Sequence, residues 1–443
     1  MKNKLKQFAK NVSRIWKLAG LYILKFIHRF YRPIIIGLIT AIILFAEWKL
    51  ITYPANDLTG IVFGWTRTIK ANGFASFWKT DADYSPIFLF FCAIVSLFPE
   101  GEHIKVNNVT FEKNWIILFK GFYILCVIGM AIGIYLITKL LTKDKNKATI
   151  SYVVTLVLPT IIMNSAIWGN SDSTLGLTLI FALYLAMIRK DYWAFFLLGL
   201  SFGNKLQAVF IVPFFALLIV NRKLKLHAII FAFLGFILTF VPSWICGAPF
   251  GQPFSFVGVQ LGRWNNLTYG CANMWHLLNF KGDVVNKAST WIGLGLIGTL
   301  LALVHMRHID LENKHNLFKL SVLLIFAVVF FLPHMHERYF YIIEVLVVIY
   351  AIINPKRFYL PILMQLSGAI AYYHYLSGKY FIQNWGEDSV HIASFINLFV
   401  FGVLIYDTFK MDHRGPLEED IKTFDEEIKQ IKQESIQKEA PKQ

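Results

Sequence analysis

The chain has 443 residues, 56% of them hydrophobic and only 16% charged, and its mean hydropathy is +0.54. Recurrent apolar runs of about 15–25 residues point to a polytopic, all-α membrane protein, and the lack of regularly alternating strands and turns argues against a β-barrel. The net charge of +16 is not a nucleic-acid signature. Much of the excess lies beside apolar segments, where it orients helices and attracts anionic headgroups.

Residues 1–32 interleave Lys2, Lys4, Lys6, Lys10, Arg14 and Lys17 with Phe8, Ile15, Trp16 and Leu18. That pattern predicts a basic amphipathic interfacial helix on the cytoplasmic face rather than a cleavable signal. Residues 33–409 form the transmembrane catalytic unit, and 410–443 a charged cytoplasmic tail with Glu418, Glu419, Asp420, Glu426 and Glu427 among lysines.

Spans are expected near 33–50, 115–139, 149–166, 174–189, 226–245, 289–306, 316–332, 339–353, 357–376 and 391–409, each close to the ~20 residues a crossing needs. Two stretches are decided by the basic loops. Lys139, Lys143, Lys145 and Lys147 belong in the cytoplasm, as do Arg222, Lys223 and Lys225, Arg307 with Lys314, and Lys356 with Arg357. These assignments agree only if 84–99 stays at the surface and 191–220 crosses twice, breaking near Gly203-Asn204. The expected topology therefore has about 12 spans, interfacial helices in the first outer loop and both termini inside. Short helix pairs broken at glycine often mark a binding site.

On this topology every cluster able to do chemistry falls at the extracytoplasmic face. Gathering at one surface suits an enzyme acting there. A transporter or flippase would place cationic residues at both leaflets along one groove, and no inner counterpart is visible in the sequence. Asp57, just after the first span, is placed to act as general base on an acceptor hydroxyl, and Asp83 competes for that role. The ordinary alternatives are a helix N-cap at Asn56-Asp57 or a solvated carboxylate.

Asn170 and Asp172 sit in a very polar turn, where they either contact a sugar or help to cap the next helix. Ser173 is the better capping candidate, and Trp168 suits an interfacial anchor. Lys205 and Gln207 lie at the break in 191–220. A lysine there either snorkels to solvent or meets an anionic phosphate.

The densest cluster is His334, His336, Glu337 and Arg338, with both imidazoles, an acid and a guanidinium within five residues. Arg338 suits bidentate phosphate contact, and the histidines suit phosphate or sugar. Nothing in the spacing demands a metal, since no cysteine or third histidine stands nearby; divalent-cation dependence is left open. The outer loop 246–288, with Arg263-Trp264-Asn265-Asn266 and Trp275-His276, reads first as an ordinary interfacial loop. Cys92 and Cys126 read as core, and Cys246 and Cys271 as free thiols for which a bridge is an alternative.

Three passages carry a family resemblance: Asp57 with Asp83-Tyr84-Ser85-Pro86; Trp168 to Ser173 with Phe202 to Gln207; and His334 to Tyr339. In these the chain resembles the GT-C membrane glycosyltransferases, closest to bacterial relatives of the second mannosyltransferase of glycosylphosphatidylinositol-anchor assembly. It is also similar to the glucosyltransferases that extend lipid-linked oligosaccharides.

The resemblance implies a hexose moved from a polyprenyl-phosphate donor to an envelope glycan, lipid or protein, with inversion and an acidic base at Asp57. It also places the His336-Glu337-Arg338 triplet beside the donor phosphate. The Asp-Tyr element of that family continues with tandem prolines, whereas Ser85 precedes a single Pro86 here, so the choice between Asp57 and Asp83 stays open. The rival readings are a lipid-linked-sugar flippase and a glycan polymerase or ligase.

Overall fold

The computed structural model describes residues 2–106, 109–263, 265–280, 282–379, 381, 386, 389–411, 426–430 and 433. Trp264 and the tail acids Glu418, Glu419 and Asp420 lie outside the described residues.

The chain is built almost wholly of helices. Helix α1 (Lys2–Leu50) runs unbroken through Pro33, so the basic segment and the first apolar run are one rod. The segment after α1 folds into a π-helical turn (Asp57–Val62), α2 (Phe63–Asn72), a 3-10 turn (Phe74–Lys79) and α3 (Pro86–Ser96). Strands β1 (His103–Val106) and β2 (Val109–Glu112) then pair antiparallel.

The next helices are α4 (Lys113–Thr142), α5 (Lys145–Val157), α6 (Pro159–Ile162) and, after a polar turn, α7 (Asp172–Met187). Helix α8 (Asp191–Asn204) is followed by a 3-10 turn (Leu206–Ile211) and α9 (Val212–Val220), so the predicted break falls at Lys205. Helices α10 (Ile229–Leu238), α11 (Val241–Ile245), α12 (Gln252–Gly262) and α13 (Met274–Leu278) carry the chain through the long loop. Helices α14 (Asp283–Met306), α15 (Lys314–Phe331), α16 (Tyr341–Ile353), α17 (Tyr359–Ser377) and α18 (Ser389–Phe409) complete the bundle.

Among the described residues, five helical segments are long and apolar enough to cross a bilayer: His28–Leu50, Lys113–Thr142, Asp283–Met306, Lys314–Phe331 and Ser389–Phe409. A sixth is available if the pair Lys145–Val157 and Pro159–Trp168, bent by 49° at Leu158-Pro159, counts as one span. Several other expected spans form shorter apolar helices, among them α7, α10 and α16. Helix α3, with 11 residues, extends only about 16 Å and cannot cross alone.

Exposure points to the same environment. Leu38, Ile42 and Phe45 on α1 are each at least 60% exposed, as are Phe233 and Phe254. Such apolar surface is tolerable against lipid and costly against water. Helices α15 and α16 are buried on every side, and the main core gathers Met130, Ile134, Leu179, Leu183, Leu324 and Leu346 around them. A second core of Phe63, Phe77, Phe88, Trp115 and Phe119 fastens the segment between α1 and α4 onto α4.

Helices α8 and α10 touch backbone to backbone. A Cβ on Gly199 would lie 1.9 Å from the Ala232 carbonyl oxygen, and one on Gly235 would lie 2.2 Å from that of Phe196. Small residues at such a crossing let apolar helices pack closely without a solvent-driven force. All four cysteines are free thiols, with Cys92 and Cys126 buried as expected.

Candidate active site

Four separate segments converge on one buried carboxylate. Asp172 opens α7, but its side chain caps nothing; instead Asn164 Nδ2 donates to its Oδ2 at 2.9 Å and Lys205 Nζ donates to its Oδ1 at 2.7 Å. Arg338 Nε stands 3.4 Å from the same Oδ2. Lys205 also donates to Asn170 Oδ1 at 3.2 Å and lies 5.3 Å over the Tyr84 ring.

The snorkelling alternative for Lys205 is thus replaced by a buried ion pair, because the break after α8 turns the side chain inward. Ser173, expected as the helix cap, is buried with its hydroxyl unpartnered; Ser171 holds the N-cap position and makes no side-chain cap either.

Asp57 joins this group through Trp168. The indole N–H donates to Asp57 Oδ2 at 3.0 Å, and the Arg338 guanidinium lies 5.4 Å from the centre of the same indole. Trp168 is therefore buried in the site rather than anchored at an interface, and the Asp57 carboxylate is engaged by it rather than capping a helix.

Two elements hold Trp168 in place. Gly169, at φ +75°, permits the close approach of Leu58 and Lys120, which a Cβ there would meet at 2.6 and 2.9 Å. Lys120 is fully buried, and its ammonium donates to the carbonyls of Tyr53 and Ile167 at 2.7 Å each. That single cation ties the strand of chain leading to Asp57 to the one leading to Trp168. Its sequence signal was a lone lysine inside a 30-residue apolar helix, costly enough in a bilayer to be a functional suspect.

The long loop 246–288 is part of the site rather than an ordinary interfacial loop. Thr268–Tyr269 (β3) pairs in parallel with Met335–His336 (β4), while His334 N–H donates to Leu267 O at 2.9 Å and Glu337 N–H to Tyr269 O at 3.2 Å. Tyr269 stacks on the His336 ring at 4.8 Å between centres. Trp275 is buried, donating to Phe331 O at 2.7 Å. Two-residue strands have no periodicity by which a sequence could reveal them.

The candidates then separate by location. Asp83, Tyr84, Lys205, Gln207, His336 and Arg338 line one small polar cavity of about 50 Å³, closed over by Phe256 and Gln260 of α12. Gln260 donates to the Asp83 carbonyl, and Arg263 Nε lies 3.4 Å from the Asp83 carboxylate. Gln207 donates to the Tyr339 hydroxyl at 2.6 Å. His334 stands outside this cavity, at the mouth of an apolar groove of about 840 Å³ between α8, α9 and α10. Gln207, Gln260 and Tyr339 line both spaces, so the polar cavity and the groove adjoin.

A profile of glycosyltransferase family 87 matches residues 83–333, more than half of the chain. The chain belongs to glycosyltransferase family 87. No match is found among curated proteins. Membership decides for a membrane glycosyltransferase over a carrier. The matched region contains Asp83, Asn170, Asp172, Lys205 and Gln207 and ends one residue before His334. Asp57 and Arg338 are brought to it by the fold.

The charges of this candidate site nearly cancel at rest. Lys205 and Arg338 face Asp172 and Glu337, and Arg338 also bonds to Glu337 Oε1. Burial pushes the Glu337 carboxyl up, but Arg338 and the neighbouring His336, 3.7 Å away, outweigh it and hold the group below the ordinary carboxylate range. Burial drives the Tyr84 phenol far up; Arg338 opposes this, while Asp172, Asp57 and Asp83 add to it. Tyr84 is therefore a neutral hydrogen-bond donor at the centre of the group.

Two donors stay open: Arg338 Nε and Asn170 Nδ2 are buried and have no hydrogen-bond partner. Buried donors are rarely left without a hydrogen bond, and Arg338 Nε has only the longer 3.4 Å approach to Asp172.

Elsewhere, Glu100, His103 and Glu112 bring ligand atoms within 4.8 Å of one another. The two acids are already paired, with Lys70 at 2.7 Å and Arg67 at 2.6 Å.

Proposed function

We propose that this glycosyltransferase is of the GT-C type and moves a hexose, with inversion, from a polyprenyl-phosphate donor to a cell-envelope acceptor at the extracytoplasmic face. The observation that supports the reading is the polar cavity holding Lys205 and Arg338 beside the apolar groove, since a lipid-linked sugar phosphate needs both, side by side. The polyprenyl tail lies between α8, α9 and α10, and the phosphate sits against Arg338, Lys205 and Asn170, with His336 at its edge.

Asp57 removes the acceptor proton as the hydroxyl oxygen attacks the anomeric carbon. The bond from that carbon to the phosphate oxygen breaks, and its electron pair leaves with the lipid phosphate. Arg338 and Lys205 are already fixed where that charge grows, so little reorganisation opposes the step. Asp83 holds the acceptor from the α12 side. A cavity of about 50 Å³ has room for only one or two waters, so the sugar enters after α12 releases its hold on Asp83. The topology we favour has both termini in the cytoplasm and about 12 crossings, the shorter helices meeting the polar site inside the bundle.

The test is transfer in detergent by the purified protein, supplied with polyprenyl-phosphate mannose or glucose and an envelope extract as acceptor source. Labelled hexose should reach an acceptor, and Arg338→Gln should lower turnover about 10²–10³-fold. Use of a nucleotide sugar in preference to the lipid-linked donor would overturn the reading.

A further inference from the structure

At the other end of α8 and α9 lies a second cavity, of about 1080 Å³, lined by Arg189, Lys190, Arg222, Lys223 and Lys225 together with Asp191 and Glu312. We infer that it is a binding site for the headgroup of an anionic phospholipid in the leaflet opposite the active site. Helix α8 has 14 residues, so its two ends are about 20 Å apart, with Lys205 at one and this cavity at the other. The sequence alone showed no inner cationic counterpart. The fold makes one by bringing the α7–α8 turn against the segment that follows α9.

The acids leave positive charge uncompensated. Glu312 accepts from Lys223 and lies 3.4 Å from Arg189, and Asp191 Oδ2 accepts the Lys225 backbone N–H at 3.1 Å. Among the described residues, Lys190 and Lys225 have no carboxylate partner. Arg222 already draws in an acid from a distant part of the chain, Glu427, at 2.5 Å.

Two features select a lipid over a free anion. The rim is apolar and exposed, with Trp193, Val220 and Leu226 between 58 and 66% exposed beside Tyr192, the mixture of aromatic and basic residues typical of a bilayer interface. Ile219 lines both this cavity and the apolar groove, so apolar surface lies next to the basic residues. This inference stands on the cavity itself and does not depend on the donor proposed above.

The test is native mass spectrometry of the full-length protein in detergent, titrated with dioleoyl phosphatidylglycerol or dioleoyl phosphatidylcholine. Wild type should retain phosphatidylglycerol in preference. Lys190→Gln combined with Arg222→Gln and Lys225→Gln should weaken that retention about 100-fold, while Arg338→Gln should leave it unchanged and so separate this site from the active one. Lys190→Gln alone, at an exposed side chain that folding does not need, should give a partial loss in the same direction. Equal retention of both lipids by wild type, or unchanged preference in both cavity variants, would overturn the proposal. Displacement of phosphatidylglycerol by millimolar inorganic phosphate would do so too, by showing a free-anion site.

Discussion

Asp57 and Arg338, 281 positions apart, meet on one indole: Trp168 donates its N–H to the Asp57 carboxylate at 3.0 Å and offers its ring face to the Arg338 guanidinium at 5.4 Å. The proposed base and the proposed phosphate ligand are thus positioned by the same rigid side chain. The arrangement separates the two roles, because the N–H meets the carboxylate while the ring meets the cation, with Tyr375 stacked on the same indole at 5.9 Å.

Trp168→Phe removes the N–H and keeps an aromatic face. A hydrogen bond to a charged group contributes about 1.5–3 kcal/mol, and 1.36 kcal/mol is a factor of ten in rate. Turnover should fall roughly 10–100-fold while donor affinity changes by less than about threefold. Paired measurement of kcat and donor Kd checks this; a larger change in Kd than in kcat would mean that the indole serves the phosphate and not the base.

The choice between the two acids is open to a direct comparison. Asp57→Asn should cost about 10²–10⁴ in turnover with donor still bound, the usual range for loss of a general base. Asp83→Asn should mainly raise the acceptor KM, because Asp83 lies under α12 beside Arg263. If Asp83→Asn shows the larger loss of kcat, the two roles are exchanged.

Charge in an apolar chain is conspicuous, and for that reason Asp57, Asp172, Lys205 and Arg338 stood out in the sequence. Their gathering at one site was expected too, but not the contacts that join them. Lys205 satisfies the snorkelling pattern equally well until the break after α8 is seen to face Asp172. Asp172 and Ser173 look like caps because they precede an apolar run, yet the carboxylate is drawn into an ion pair instead. The contribution of 266–270 was illegible, since a two-residue parallel pairing depends on a partner 67 residues away. Helix lengths were likewise hidden by tertiary context: proline at 159 bends one expected span, and polar turns shorten others.

Lys120 should behave as a positioning residue. Lys120→Met keeps much of the side-chain length but leaves the Tyr53 and Ile167 carbonyls without their donor, a cost of about 1–3 kcal/mol for each buried group. The melting temperature should drop. Among molecules that remain folded, kcat should fall while the donor KM stays within about threefold, because Asp57 and Trp168 shift relative to each other. A variant with reduced stability but wild-type kcat would assign Lys120 to the scaffold alone.

Glu337 supplies a dependence on pH. Its carboxyl is held below the ordinary range in the folded protein, so the unfolded state takes up a proton first as pH falls. The stability it contributes is complete above the ordinary carboxylate pKa of about 4.3 and is lost as pH drops through the lower folded value. Glu337→Gln removes that term, and with it the ion pair to the buried Arg338. The variant should therefore melt lower than wild type at pH 7, with the gap constant down to about pH 5 and narrowing below about pH 4. Intrinsic-fluorescence melting of both proteins between pH 7 and 3.5 reads the difference directly. Parallel curves throughout would show that Glu337 and Arg338 are not coupled in the fold.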